Sequence, residues 1–232
     1  MNKVFRFLYM LMSSRMRILH ISDIHGNMGA VEKIIQKAGE IGADLIAVTG
    51  DLTHFGEIED AEMLLERISE SGRQVFFVPG NCDPKALLEW TPTNTSIKNL
   101  HLRSVDFSGW EFIGLGGAVG RYGTLIEFTE EEVEDMLKKV VPRKPGFIFV
   151  SHSPPYGLDV DYTGVKHIGS KAVKMYVENH HPKLMICGHA HEGRGIVKID
   201  ETTIVNSGAA KNGLCAMIDL GEDVEVELMA LY

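Results

Sequence analysis

Apolar positions recur along the first third of the chain with two alternating periods. Arg17-Ile18-Leu19-His20-Ile21 reads as a short strand. Between residues 27 and 41, Val31, Ile34, Ile35 and Ala38 repeat at helical spacing. Leu45-Ile46-Ala47-Val48 predicts a second, buried strand. Residues 61–68, with Met63, Leu64, Leu65 and Ile68, lie within a second amphipathic helix, and residues 74–78 predict a third strand. The order β-α-β-α-β predicts a parallel sheet joined by crossover helices.

Beyond residue 104 the pattern changes. Short strands joined by tight turns are expected at 105–107, 110–115, 196–199, 202–205, 214–220 and 224–231, and such runs usually pair antiparallel. Between them, helices are expected near 129–140 and 170–179, with strands at 147–150 and 183–186. No internal repeat or long linker interrupts the chain. One domain with two sheets and helices outside is the economical reading.

Polar residues follow the predicted strand ends in five places: "SDIHGN", "TGDLTHFG", "PGNCD", "SHSPP" and "CGHAH". Ligands of open α/β sheets bind in the crevice beyond the carboxyl ends of the strands. Five such ends would gather Asp23, His25, Asp51, Asn81, His152, His189 and His191 around one point. In Asp-x-His and His-x-His, alternate residues of an extended segment point the same way. Each motif alone has an ordinary explanation: Gly50-Asp51 as a turn, Asn81 as a helix cap, His152 as a loop histidine. All five, in order and each after a strand, are hard to attribute to chance.

The series Asp23-x-His25, Gly50-Asp51-x4-Gly56, Gly80-Asn81-Cys82-Asp83, His152 and Gly188-His189-x-His191 resembles the calcineurin-like metallophosphoesterase superfamily. The resemblance runs nearly the whole length from Met16, and small bacterial and archaeal phosphodiesterases with "GNCD" look similar. It implies an α/β fold, a four-layer α/β/β/α sandwich with two mixed β-sheets, and two divalent metal ions at one edge. By the resemblance Asp23, His25 and His191 hold one metal; Asn81, His152 and His189 hold the other; Asp51 bridges them. Asn81, Cys82 and Asp83 become the candidate catalytic stretch. The family usually has histidine where this chain has Cys82, so the catalytic acid is in question.

The donor types agree. Mixed oxygen and imidazole ligation suits Mn²⁺, the expected ion, or Fe²⁺, Ni²⁺ or Zn²⁺, with Mg²⁺ also open. A carboxylate can span two cations through its two oxygens, which makes Asp51 the natural bridge. Cations roughly 3.5–4 Å apart can share a hydroxide and support in-line attack on phosphorus. No nucleophile elbow or P-loop competes for that role. His54 could line the pocket; His20 reads as packed or supporting; His101, His180 and His181 read as solvated; Cys187 and Cys215 read as core fillers. Ser170 is a candidate helix cap. Loops 118–128 and 154–169 are expected to set specificity.

Composition narrows the function. A formal net charge of −9 argues against a nucleic-acid partner, which normally meets a basic surface. Three cysteines without paired spacing suggest a reducing compartment, read as the cytoplasm. The opening 1–15 reads as an extension before a domain over 16–232. Its apolar run after Arg6 falls far below the roughly 20 residues that span a bilayer, so no membrane partner is expected. It is expected to pack against something, a second copy of the chain included. The leading expectation is a phosphodiesterase acting on a small phosphoester; alternatives are a phosphomonoesterase or a non-enzymatic interaction module on the same fold.

Overall fold

The computed structural model describes residues 15–232, so the extension expected over 1–15 lies outside the described residues apart from Arg15. The first sheet contains β1 (Met16–Ile21), β2 (Leu45–Thr49), β3 (Gln74–Val78), β4 (Ile97–Asn99), β13 (Leu214–Leu220) and β14 (Val224–Ala230). Its order is β14-β13-β1-β2-β3-β4. The second contains β5 (Ser104–Phe107), β6 (Trp110–Leu115), β9 (Ile148–Ser151), β10 (Leu184–Cys187), β11 (Gly195–Ile199) and β12 (Thr202–Asn206). Its order is β11-β12-β10-β9-β6-β5. A two-stranded ribbon, β7 (Ala118–Val119) with β8 (Glu127–Phe128), stands apart.

Strand periodicity builds the layers. In β2, Ile46 and Val48 face α1 (Met28–Glu40) and α2 (Ile58–Ser69), while Leu45 and Ala47 face the other sheet. In β10, Leu184 and Ile186 face inward, while Met185 and Cys187 pack with Val173 and Val177 of α4 (Lys171–His180). Val133 and Leu137 of α3 (Glu130–Leu137) join that outer core. Strands covered on both faces read as unbroken apolar runs, which is why the central ones were legible. The result is the expected four-layer α/β/β/α sandwich. Phe76 of β3 meets Phe112 of β6 edge-on between the sheets, ring centroids 5.1 Å apart.

Local chemistry sets the helix starts. The Asn27 side chain accepts from the Ala30 N–H, and Ser170 caps α4 by accepting from the Val173 N–H at 3.1 Å, as expected. The short strands pair antiparallel as expected, β5 with β6, β11 with β12 and β13 with β14, while β9 and β10 join the second sheet in parallel. Two readings need correction. The segment after Pro84 is a short 3₁₀ turn, Lys85–Leu88, and Asn81 does not cap it. The helix expected to reach Val140 ends at Leu137. Among the described residues no helix is long and apolar enough to cross a membrane.

Candidate metal centre

The carboxyl ends of β1, β2, β3, β9 and β10 open at one edge of the sandwich. The chain turns sharply there. Asp23, His25, Asp51 and His189 all adopt left-handed backbone, with φ of 56°, 48°, 50° and 65°. That region is costly for a residue with a Cβ, and such strain clusters at functional sites. Backbone bonds lock the turns together: the Asp23 N–H donates to Gly50 O and the His25 N–H to Asp51 O.

Two motif glycines allow the approach. A Cβ on Gly80 would collide with the backbone and carboxylate of Asp51, and one on Gly188 would collide with the Ser22 hydroxyl. Any side chain there would force the strand ends apart.

The seven expected donors converge in two groups. In the first, His191 Nε2 is 3.0 Å from Asp23 Oδ1, and His25 Nε2 is 3.8 Å from the same oxygen. In the second, His152 Nε2 is 2.8 Å from Asn81 Oδ1, and the His152 and His189 ring centroids are 5.0 Å apart. Asp51 faces both: Oδ2 is 3.6 Å from His25 Nε2 and Oδ1 is 3.6 Å from His152 Nε2.

Electrostatics prepares these groups for a cation. Burial alone would raise the Asp23 carboxyl, but the His191 hydrogen bond and the charges of His152 and His191 outweigh it. The group is held well below the carboxylate range. Burial lowers His25, offset only partly by Asp51 and Asp23. Burial, then His152, pushes His189 down to about 3. His191 alone is raised, chiefly by its bond to Asp23. An ionised Asp23 and neutral His25 and His189 are in the forms that ligate metals, whereas His191 has to give up its proton as a cation binds beside Asp23.

The donors fit a cation pair on their own geometry. Both ring nitrogens of His25 and Nε2 of His189 are buried without a hydrogen-bond partner. Such orphans are rare in a native interior. His152 Nδ1 lies 2.7 Å from the Thr49 carbonyl while Nε2 faces the Asn81 oxygen.

The catalytic stretch divides. Asn81 lies in the centre. The Cys82 N–H donates to Asp51 Oδ1 at 2.8 Å, and burial, followed by the Asp51 charge, pushes its thiol well up. Asp83 takes a bracing geometry instead. Its carboxylate accepts from the N–H groups of Leu52, Thr53 and Gly80 and from the Thr53 hydroxyl, tying the second and third strand-end loops together. Burial and the Asp51 charge raise it to about 6. His101, read as solvated, is buried, and its Nδ1 accepts from the Gly116 N–H at 3.0 Å.

Some supporting residues escaped sequence reasoning. Asn206 donates to the carbonyls of Ala190, Val160 and Gly188, holding the loop that carries His189 and His191. Its one signal was a polar residue directly after the strand expected at 202–205. Tyr122 lies with its ring centroid 5.5 Å from that of His189, and nothing local marks it.

Comparison with known proteins agrees with this geometry. The sequence profile of the calcineurin-like phosphoesterases matches residues 16–193. An uncharacterized protein of Methanocaldococcus jannaschii, MJ1162, is 35% identical over 198 residues, 82% of this chain and 87% of that one. A 3′,5′-cyclic-nucleotide phosphodiesterase of Nostoc, alr5338, is 25% identical over 193 residues, 80% of this chain and 69% of that one. The crystal structure of TT1561 of Thermus thermophilus shares the fold, with a TM-score of 0.76 at 22% identity over 94% of this chain and 100% of that one. This chain belongs to the calcineurin-like phosphoesterase family.

Proposed function

We propose that the chain is a phosphodiesterase that uses two divalent cations, with residues 16–232 forming one catalytic domain. Asp23, His25 and His191 would hold one cation, and Asn81, His152 and His189 the other, with Asp51 between them. The observation that carries this reading is the Asp51 carboxylate, which turns one oxygen toward His25 and the other toward His152. When bound, such a pair neutralises phosphoryl oxygens and makes hydroxide available near neutral pH.

The chain's own groups do the positioning. The Thr49 carbonyl accepts a hydrogen bond from His152 Nδ1, so that Nε2 faces Asn81 and Asp51. The Cys82 N–H holds Asp51 in place, and the Asp83 brace fixes the loop that carries it. Cys82 offers the leaving oxygen only a thiol, a weak donor. The site therefore favours esters whose leaving group departs as a stable anion.

Diesters are preferred over monoesters because the Nostoc relative is named a phosphodiesterase. The acidic chain favours a small substrate over a nucleic acid. Mn²⁺ suits the mixed donors. All three cysteines are free and buried, which supports the cytoplasm as the compartment. The test is a panel of phosphomonoesters, linear diesters and cyclic nucleotides assayed with Mn²⁺, Mg²⁺, Ni²⁺ and Zn²⁺. Cation-dependent turnover highest on diesters is expected. Faster turnover of monoesters would make the chain a monoesterase, and bound cation with no turnover at all would favour an interaction module.

A further inference from the structure

A second donor set meets the centre from its outer side. One ligand atom each from His25, His54 and Cys82 lies within 4.8 Å of the others. The set differs in kind from the dinuclear donors: two imidazoles and a thiol, without a carboxylate. His54 reaches it from the turn after β2, its ring edge-on to His25 with centroids 5.2 Å apart. The next residue, Phe55, sits at a φ of 60°, unusual for a bulky side chain, and packs on His54 at 4.8 Å. The Phe55 N–H donates to the Cys82 carbonyl at 3.0 Å, tying the turn that carries His54 to the one that carries Cys82.

His25 carries a further sign of a ligand. Its side chain is only 9% exposed; Nε2 faces Asp23 and Asp51 beyond hydrogen-bond distance, and Nδ1 has no hydrogen-bond partner. We infer that His25, His54 and Cys82 form an alternative site for a thiophilic divalent cation of the zinc class. Thiolate and imidazole donors select such ions, whereas Mg²⁺ and Mn²⁺ gain little from sulfur. As the cation binds, the Cys82 thiol proton leaves to bulk water and a metal–sulfur bond takes its place. Three protein ligands leave a position open to water. The two sets meet at His25, so a cation drawn to Cys82 competes with the dinuclear centre for that imidazole. Zn²⁺ or Cd²⁺ then inhibits an enzyme already supplied with Mn²⁺. This last consequence rests on the function proposed above; the site itself does not.

The experiment uses Co²⁺ as a spectroscopic probe, titrated into cation-free full-length protein. A near-ultraviolet thiolate-to-cobalt charge-transfer band is expected in the wild type. It should vanish in Cys82→Ser, where Cys187 and Cys215 remain as internal controls. In His54→Ala, a change at an exposed position, the band's midpoint should move to higher Co²⁺ by on the order of 10–100-fold, the cost that losing even an outer partner carries. Visible cobalt absorption without that band, a band that survives Cys82→Ser, or no Co²⁺ binding would overturn the site. A band in a protein without diesterase activity supports the site while removing the function proposed above. Diesterase activity without a band does the reverse.

Discussion

His191 Nε2 lies 3.0 Å from Asp23 Oδ1, across 168 residues of chain. The two arrive from different sheets, Asp23 from the end of β1 and His191 from beyond β10. The whole centre is divided this way: Asp23, His25, Asp51 and Asn81 come from the first sheet, and His152, His189 and His191 from the second. Face-to-face packing of the sheets is therefore a condition for the site.

Replacing Asp51 should remove the link between the two groups of donors. Asp51→Ala is expected to abolish turnover and lower the metal content of protein purified without chelator, as read by elemental analysis. Full metal content and activity in this variant would exclude Asp51 as the bridge.

Cation binding should stabilise the fold, because the unfolded chain scatters the donors. A cation at about 100 times its Kd adds about 2.7 kcal/mol. For a chain of this size that corresponds to a Tm rise of roughly 5–10 °C. Calorimetry of chelator-treated protein with and without Mn²⁺ measures it, and the rise should disappear in Asp51→Ala. An unchanged wild-type curve would count against a cation site at these residues.

Asp83 should behave as a brace. Asp83→Ala leaves three buried N–H groups and a hydroxyl without their acceptor. The expected loss is about 2–4 kcal/mol in urea unfolding. A variant as stable as the wild type but inactive would return Asp83 to a catalytic role.

The weak donor at Cys82 should appear in leaving-group dependence. Cys82→His restores an imidazole acid, and general acid catalysis is typically worth about 10²–10⁴ in rate. The gain should be larger on diesters with alkyl leaving groups than on nitrophenyl diesters. Equal gains on both classes, at unchanged metal content, would show that Cys82 does not mark a missing acid.

His101 gives a pH dependence separable from the metal centre. Burial, with a smaller push from Arg103, lowers it from 6.5 to about 4 in the folded chain. The unfolded chain then takes up the proton first as pH falls. Stability from this group is complete above about pH 6.5 and is lost on acidification toward pH 4. The full difference is about 3 kcal/mol. His101→Asn keeps an acceptor for the Gly116 N–H but does not titrate. Denaturant unfolding between pH 7 and 4 should show a smaller acid loss in the variant than in the wild type.

The parts of this molecule that depend on neighbours in sequence were legible without the structure. Apolar runs such as 45–48 and Leu184–Cys187 announce strands covered on both faces, because burial on two sides disfavours polar positions. The cap at Ser170 is visible because a helix start exposes N–H groups that a nearby hydroxyl satisfies. The order of the strand-end motifs was enough to name the donors and, through resemblance, the family. Tertiary structure decided what depends on distant pairing. β6 forms the hairpin with β5 that its tight turn suggests, but on its other side it meets β9 in parallel, a pairing no local pattern announces. His101 is buried because the segment after β4 docks against Gly116, a contact no local pattern encodes. Asp83 turns to the loop after β2 and not to the donors, and Asn206 finds carbonyls on two segments, Val160 on one and Gly188 and Ala190 on the other. His54 comes within reach of Cys82 only because the Phe55 N–H bonds across to the Cys82 carbonyl. A side chain's type is written in sequence, but its partner is chosen by packing, since desolvation makes each buried polar group take whatever donor or acceptor the fold brings to it.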